Sequence, residues 1–472
     1  MLRSIEKILN RKSIFNCIAL ICAISIIIGF CIGNMSHFPD EVGYLNMAKS
    51  IGKGTFSSWY FLNTDVPETL RTWGYPYFIH LIQIISYNVM FVKIAQLIFY
   101  FISVLIVLKL IQFHTKDLLY RSLFLLLLTP NIQLAYYTGQ IVPEGIATFF
   151  VVLFIFIWYT WPKSTIKFLL LAFTAFVLFQ LRPAFLLFPI IFFLIEFFYQ
   201  KNYGLACLFL FTYGLLLLPF GFWNKKHHGI FKVTPLEGGA GISHLGYWSF
   251  RLPAGYKDTF YWNHWIYKDI FQPQFYSESE QKASVVQYNN EWVNIENRVS
   301  KYLTRKDSIV LEEMKAYPSQ FPVYNSAYTI QREKILWEFT KEHIRQDLGR
   351  YIATRIYTFF RIWFTGINTD FYKASFKQKV SMLYPFIITF VFILGGLFTI
   401  AILFIKRILD FKLFFGIFIF IIYLGCIHNA FSIQSRYTVP VHILILFLLA
   451  IGIGNMLCKK KDFNVSNRVL PI

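Results

Sequence analysis

Run after run of apolar residues, most of them long enough to cross a bilayer, limits what this chain can fold into more than any other feature. A transmembrane helix needs roughly 20 apolar residues. Such runs fall near 14–33, 87–111, 118–136, 143–160, 165–181, 184–198, 203–222, 382–405, 411–430 and 438–457. The fifth and sixth are short and divided only by Arg182-Pro183, the pattern of a bent pair. Composition agrees: charged residues make up 15% of the 472, against about 25% in a soluble domain. The expected fold is an all-α polytopic membrane protein of about ten transmembrane helices.

The net charge of +20 first suggests nucleic acid. A nucleic-acid binder gathers Lys and Arg on one polar face, whereas here much of the basic charge lies in short segments between apolar runs. With the N-terminus inside, the inner segments hold Arg3, Lys7, Arg11 and Lys12, then Lys109, Lys116 and Arg121, then Lys163 and Lys167, then Lys201. Lys406, Arg407 and Lys412 follow, and finally Lys459, Lys460 and Lys461. The short outer connections near 137–142, 182–183 and 431–437 are poorer in both residues, as the positive-inside rule asks. Both termini are therefore expected in the cytoplasm. The first run is long for a signal-peptide core and no A-x-A-like site follows it, so it reads as an uncleaved span.

Three parts follow from this pattern. Residues 1–223 form an N-terminal transmembrane module of about seven spans, with a first external loop over 34–86. Residues 224–380 form an extracytoplasmic domain, α or α/β, and 381–472 a C-terminal module of about three spans with a basic tail. In the first loop, Val42, Leu45, Ala48 and Ile51 share one face of a helix expected to lie along the membrane surface. From Gln331 to Gly366 the sequence reads as helix with aromatic and basic residues mixed, which suits the headgroup zone. The six cysteines sit within or beside apolar runs and none falls in 224–380, so no disulfide framework or Cys-type zinc site is implied. No internal repeat marks a transporter.

Ionisable groups near membrane depth are costly and are functional hypotheses by default. On the outer side they are Asp40, Glu41, Arg71, Lys93, Glu144, Arg182 and Arg436, all near the outer ends of different spans. Asp40-Glu41 follows Pro39 and Glu144 follows Pro143, so each also has the plain explanation of an acid at a helix start. Two such starts on one face allow a shared site. Arg71 suits phosphate oxygens through its fork of donors, or it is an ordinary interfacial cation. Lys93 reads more readily as a snorkelling side chain. Arg182 and Arg436 occupy very short outer turns, where a stray cation gains little. Asp40, Glu41 and Glu144 would hold a divalent cation only if they lie close together.

The histidines His227, His228, His244, His264, His428 and His442 form no H-E-x-x-H or other specific ligand spacing, and each reads as satisfied or solvated. There is no G-x-S-x-G element and no Walker-type loop, so ATP has no cradle.

The stretch Asp40-Glu-Val-Gly-Tyr44-Leu-Asn-Met-Ala48, then Gly52-x-Gly54, then Arg71-Thr-Trp-Gly-Tyr-Pro76 resembles the first external loop of GT-C glycosyltransferases. Among them it is most similar to the protein O-mannosyltransferase and lipid A aminoarabinose transferase group. Pro143-Glu144, Leu181-Arg-Pro183 and Arg436-Tyr-Thr-Val-Pro440 extend the resemblance, which covers the membrane part and hardly touches 224–380. It implies a GT-C fold and an extracytoplasmic active site, and the Cys-free outer domain and compact size suggest a bacterial inner membrane. The implied donor is a polyprenyl-phosphate sugar, and the implied acceptor a hydroxyl of a lipid, glycan or protein. Asp40 takes the place of the catalytic carboxylate and Glu41 that of its neighbour, which positions the acceptor. Arg71 stands where relatives carry a basic residue near the donor phosphate, although the aminoarabinose group has Lys and two prolines there. Glu144 resembles the second-loop acid, and Arg182 and Arg436 are further phosphate ligands. Such enzymes need no nucleotide or other cofactor, because the phosphate itself is the leaving group.

Two other readings compete. An O-antigen polymerase or ligase would use a diphosphate-linked oligosaccharide and arginines of its large outer loop. A non-enzymatic transporter of lipid-linked sugars would place its charges at the midplane of the bundle.

Overall fold

The computed structural model describes residues 2–59, 66–258, 266, 268–304, 326–405, 411–429 and 435–458. His264, Gln434, Lys406, Arg407, Lys459, Lys460 and Lys461 lie outside the described residues. Among the described residues every regular element is helical, and β-contacts are confined to isolated bridges such as that between Asp269 and Asn368. The α/β alternative for 224–380 finds no support there.

The N-terminal module runs α1 (Leu2–Leu9), α2 (Lys12–Asn34), α3 (Asp40–Ile51), α4 (Gly74–Ile85), α5 (Val89–His114) and α6 (Leu118–Leu128). It continues through α7 (Ile132–Tyr136), α8 (Glu144–Thr160), α9 (Thr165–Leu181), α10 (Phe188–Leu194) and α11 (Tyr203–His228). An inter-span domain follows, with α12 (Ala240–Trp248), α13 (Glu278–Val299), α14 (Ser326–Gln346) and α15 (Leu348–Arg361). Then come α16 (Phe376–Ile405), α17 (Phe411–Asn429) and α18 (Val439–Cys458).

Six helices are long and apolar enough to cross a membrane, as an integral membrane protein requires: Lys12–Asn34, Val89–His114, Tyr203–His228, Phe376–Ile400, Lys412–Asn429 and Ser435–Cys458. The run expected as one span over 118–136 is instead two helices, Leu118–Leu128 and Ile132–Gly139, meeting at 68°. Pro130 sits at the break, where its missing N–H and its ring end the first helix. The apolar helices Glu144–Thr160, Thr165–Leu181 and Pro183–Tyr199 are shorter than a full span. A 17-residue helix such as α8 or α9 is only about 25 Å long, against a hydrocarbon core of about 30 Å.

The centre of the bundle is α18, buried along most of its length and packed on α6, α8 and α16. Helices approach closely where glycine allows it. A Cβ on Gly29 of α2 would stand 2.5 Å from the Ile132 carbonyl oxygen, and one on Gly33 would collide with the Tyr136 backbone. Small residues at such seams are the usual means of packing helices inside a membrane.

Two expectations for the external loop change. Helix α3 does form, and Ala48 of the expected stripe is buried, but so are Gly43, Asn46, Met47 and Ser50, while Val42 faces outward and Leu45 and Ile51 are half-buried. Packing on α4, a helix the loop was not expected to contain, turns the buried face away from the apolar stripe. The stretch from Gln331 is helical as expected as far as Arg361, with a break at Asp347, while 362–366 is irregular. Its second helix exposes Leu348, Ile352, Ile356 and Phe360 at four-residue spacing. Arg355 turns inward from it and donates to the Asn429 carbonyl at 2.7 Å and the Gly246 carbonyl at 3.0 Å, tying the inter-span domain to α17.

Candidate active site at one end of the bundle

The ends of α2 and α9 and the starts of α3, α8 and α18 gather at one end of the bundle. Helices α8 and α9 are joined at their other ends by the short Trp161–Ser164 connection, so Glu144 at the start of α8 and Arg182 after α9 share a side. The turn Ser435–Thr438 before α18 brings in Arg436, and Pro39 opens α3 with Asp40 as its first residue. The Arg71–Gly74 segment is docked on the end of α9. Thr72 Oγ1 donates to the Gln180 carbonyl at 2.8 Å, and the Trp73 N–H donates to Gln180 Oε1 at 3.2 Å. A Cβ on Gly74 would lie 2.7 Å from the Gln180 backbone, so only glycine permits this seat. Gly43 serves α3 in the same way, since the Arg71 guanidinium lies over it.

Five sequence-predicted residues therefore meet. Arg71 Nη2 donates to Asp40 Oδ1 and Arg436 Nη2 to Asp40 Oδ2, both at 3.1 Å. Arg436 Nε stands 3.8 Å from Glu144 Oε1, and Arg182 Nη1 stands 3.5 Å from the same oxygen. Burial by itself would lift the Asp40 carboxyl, but the charges and N–H groups of Arg436 and Arg71 outweigh it. Asp40 is held below the usual carboxylate range. Aromatic rings floor the cluster: Arg182 lies 4.5 Å over the Tyr437 ring, Arg436 lies 4.0 Å over Phe38, and Arg71 lies 5.3 Å over Tyr44. Cation–π contacts of this kind strengthen as they lose water.

Two predicted residues stand aside. Glu41 turns to His37, with 3.3 Å between Oε2 and Nδ1, and does not join the arginines. Lys93 Nζ donates to Asn34 Oδ1 at 3.0 Å, near the end of α2. Among the described residues Asp40, Glu41 and Glu144 gather into no three-ligand set for a cation.

Sequence reasoning missed Glu68, whose Oε1 stands 3.7 Å from Arg71 Nη1. Its signal was available in Pro67-Glu68-Thr-Leu-Arg71, an acid three residues before the base. It also missed the place of His428, whose ring stacks on Tyr437 at 4.6 Å. Nothing in its local sequence tells of that contact. Behind Glu68, the Leu236 and Glu237 N–H groups donate to the Thr69 carbonyl at 2.8 and 3.1 Å. The inter-span domain thereby braces the loop that carries Arg71.

The fold and this site define a helical integral membrane protein with a buried acid–arginine cluster at one end of its bundle. No family model, curated protein or solved structure matches the chain.

Proposed function

We propose that the chain is an integral membrane glycosyltransferase of GT-C type. It moves a sugar from a polyprenyl-phosphate donor to a hydroxyl of an extracytoplasmic acceptor, with Asp40 as base. The observation that carries the reading is the convergence of Asp40, Arg71, Glu144, Arg182 and Arg436 from segments remote in sequence. In this reading the shorter helices complete ten spans, and the cluster faces outward from a bacterial cytoplasmic membrane with both termini inside. Its place at the helix ends, rather than along the middle of the helices, favours an enzyme over a transporter.

The acceptor oxygen attacks the anomeric carbon, and the bond from that carbon to the phosphate oxygen breaks. The electron pair leaves on polyprenyl phosphate, the acceptor proton passes to Asp40, and the single displacement inverts the anomeric centre. Arg71, Arg182 and Arg436 stabilise the charge that develops on the phosphate, the kind of preorganised stabilisation that dominates many reactions. No cofactor is required. Glu144 orients two of the arginines, and Glu41 with His37 lines the approach of the acceptor.

The ion pairs add a condition to this chemistry. A carboxylate held low by two arginines is a weak base, and counting Glu68 the three guanidiniums face three carboxylates. An arriving phosphate competes with Asp40 for the same N–H groups. As they turn to the donor, Asp40 regains proton affinity, so the base becomes effective only once the donor is seated.

The test is Asp40→Asn in purified protein supplied with a polyprenyl-phosphate sugar. Transfer should fall by about 10²–10⁴-fold, the usual worth of a general base, with folding intact. Undiminished transfer would sink the assignment of Asp40. A wild-type chain that accepted only a diphosphate-linked oligosaccharide would overturn the donor class.

A further inference from the structure

The inter-span domain holds a second convergence of side chains, remote in sequence from the Asp40 site. His244 on α12, Glu291 on α13 and His343 on α14 are all buried. Both imidazole Nε2 atoms meet the one carboxylate, His244 at Oε1 and His343 at Oε2. One ligand atom from each residue lies within 4.8 Å of the other two. Trp248 Nε1 stands 3.1 Å from His244 Nε2 and 3.4 Å from Glu291 Oε1, a donor shared between the two. Aromatic rings close the pocket, with His343 stacked on Tyr247 at 4.9 Å and His244 edge-on to Trp292 at 5.6 Å.

A buried carboxylate is costly unless it is paired or bound to a metal. Among the described residues no Arg or Lys reaches Glu291; its bonded partners are the two imidazoles and the Trp248 indole. Imidazoles are cations only when protonated, and they are the commonest metal ligands when neutral. The lone pairs that would bind a metal are on the very atoms aimed at the carboxylate.

We propose that His244, Glu291 and His343 form a site for one divalent transition-metal ion of the zinc class. Two imidazoles and a carboxylate suit such an ion, whereas Ca²⁺ and Mg²⁺ prefer oxygen alone. Tetrahedral zinc sets its ligand atoms roughly 3.3 Å apart, within reach of small side-chain rotations from the present spread. Three protein ligands leave the fourth position to water. The ligands come from the three helices that build the domain's own core of Trp248, Tyr288, Trp292 and Leu336. That domain contains no cysteine to cross-link it, so the ion takes the place of a covalent staple.

The proposal is independent of the transferase reading and is tested on full-length protein in detergent. Chelator-stripped wild type is titrated with zinc chloride and, separately, with Co²⁺. One ion per chain should bind, visible d–d absorption should appear with Co²⁺, and the thermal midpoint should fall on stripping and return with zinc. Glu291→Gln and His343→Gln should each weaken zinc binding by more than the roughly 10–100-fold cost of losing an outer-shell partner. Asp40→Asn should bind zinc like wild type even when transfer is abolished. A stripped wild type that takes up neither ion and melts at the same temperature with and without zinc overturns the site. Unchanged zinc affinity in both Gln variants does so as well.

Discussion

Asp40 in the membrane module and Glu291 in the inter-span domain are buried carboxylates of the same design, each gripped through both oxygens by two basic side chains from other segments. The grips differ in chemistry. Asp40 is held by guanidiniums, which stay charged at any pH a protein survives. Glu291 is held by imidazoles, which give up protons near neutrality and then offer lone pairs. An arginine grip yields only to another anion, and so suits a site that must exchange a carboxylate for a phosphate. A histidine grip yields to protons or to a metal ion, and so suits a site that is set once and keeps a domain together.

The largest effect expected is the loss of transfer in Asp40→Asn described above. Arg436→Met comes next, because Arg436 touches both Asp40 and Glu144. Transfer should drop by about 10²–10³-fold, as when one preorganised donor to a developing anion is removed, and kinetics on the purified variant would measure it. An intact rate would mean that the arginine grip is structural, and the contrast with Glu291 would collapse. Glu291→Gln should cost stability more than transfer. Removing one member of a buried charged pair typically costs about 3–5 kcal/mol, seen here as a lowered thermal midpoint in the absence of added metal.

Acid should separate the two grips further. Glu291 stands at about 2 in the folded chain against an ordinary 4.5. A depressed folded value means that its stabilisation is present above the unfolded value and is lost as pH falls from about 4.5 toward 2. The thermal midpoint of wild type should therefore fall more over that interval than that of Glu291→Gln, as differential scanning calorimetry at a series of pH values would read. The smallest effects belong to the residues that stand aside. Among the described residues Glu41 pairs with His37 alone, whose side chain is 83% exposed. Such a pair is worth about 0–1 kcal/mol, so Glu41→Gln should change transfer by less than about fivefold. A larger loss would give Glu41 a direct part in the chemistry.

Much of this was legible before any coordinates. Apolar length marked the six helices long enough to cross a membrane because hydrophobicity along a run is a local property, and the helix starts at Asp40 and Glu144 followed from proline and acid at the first turn. The break at Pro130 is equally local, with Thr129, Asn131 and Gln133 beside it, but the apolar residues on either side read as one run. The face of α3 was misjudged for a different reason. Periodicity names the apolar stripe, but here Gly43 faces Arg71 for want of a side chain, which no hydrophobic pattern encodes. His244 and His343 read as ordinary histidines because 47 and 52 residues separate them from Glu291.

The sequence by itself determined that the chain is helical, membrane-borne and short of charge, since each of these depends on what a segment is made of. Which charges meet was decided only by the tertiary structure. Asp40 and Arg436 lie 396 residues apart, and their contact exists because α18 runs through the middle of the bundle and the Ser435–Thr438 turn before it lies against Phe38 and Asp40 at the start of α3. Composition supplies the groups, and close packing through glycine at positions 29, 33, 43 and 74 brings them within bonding distance.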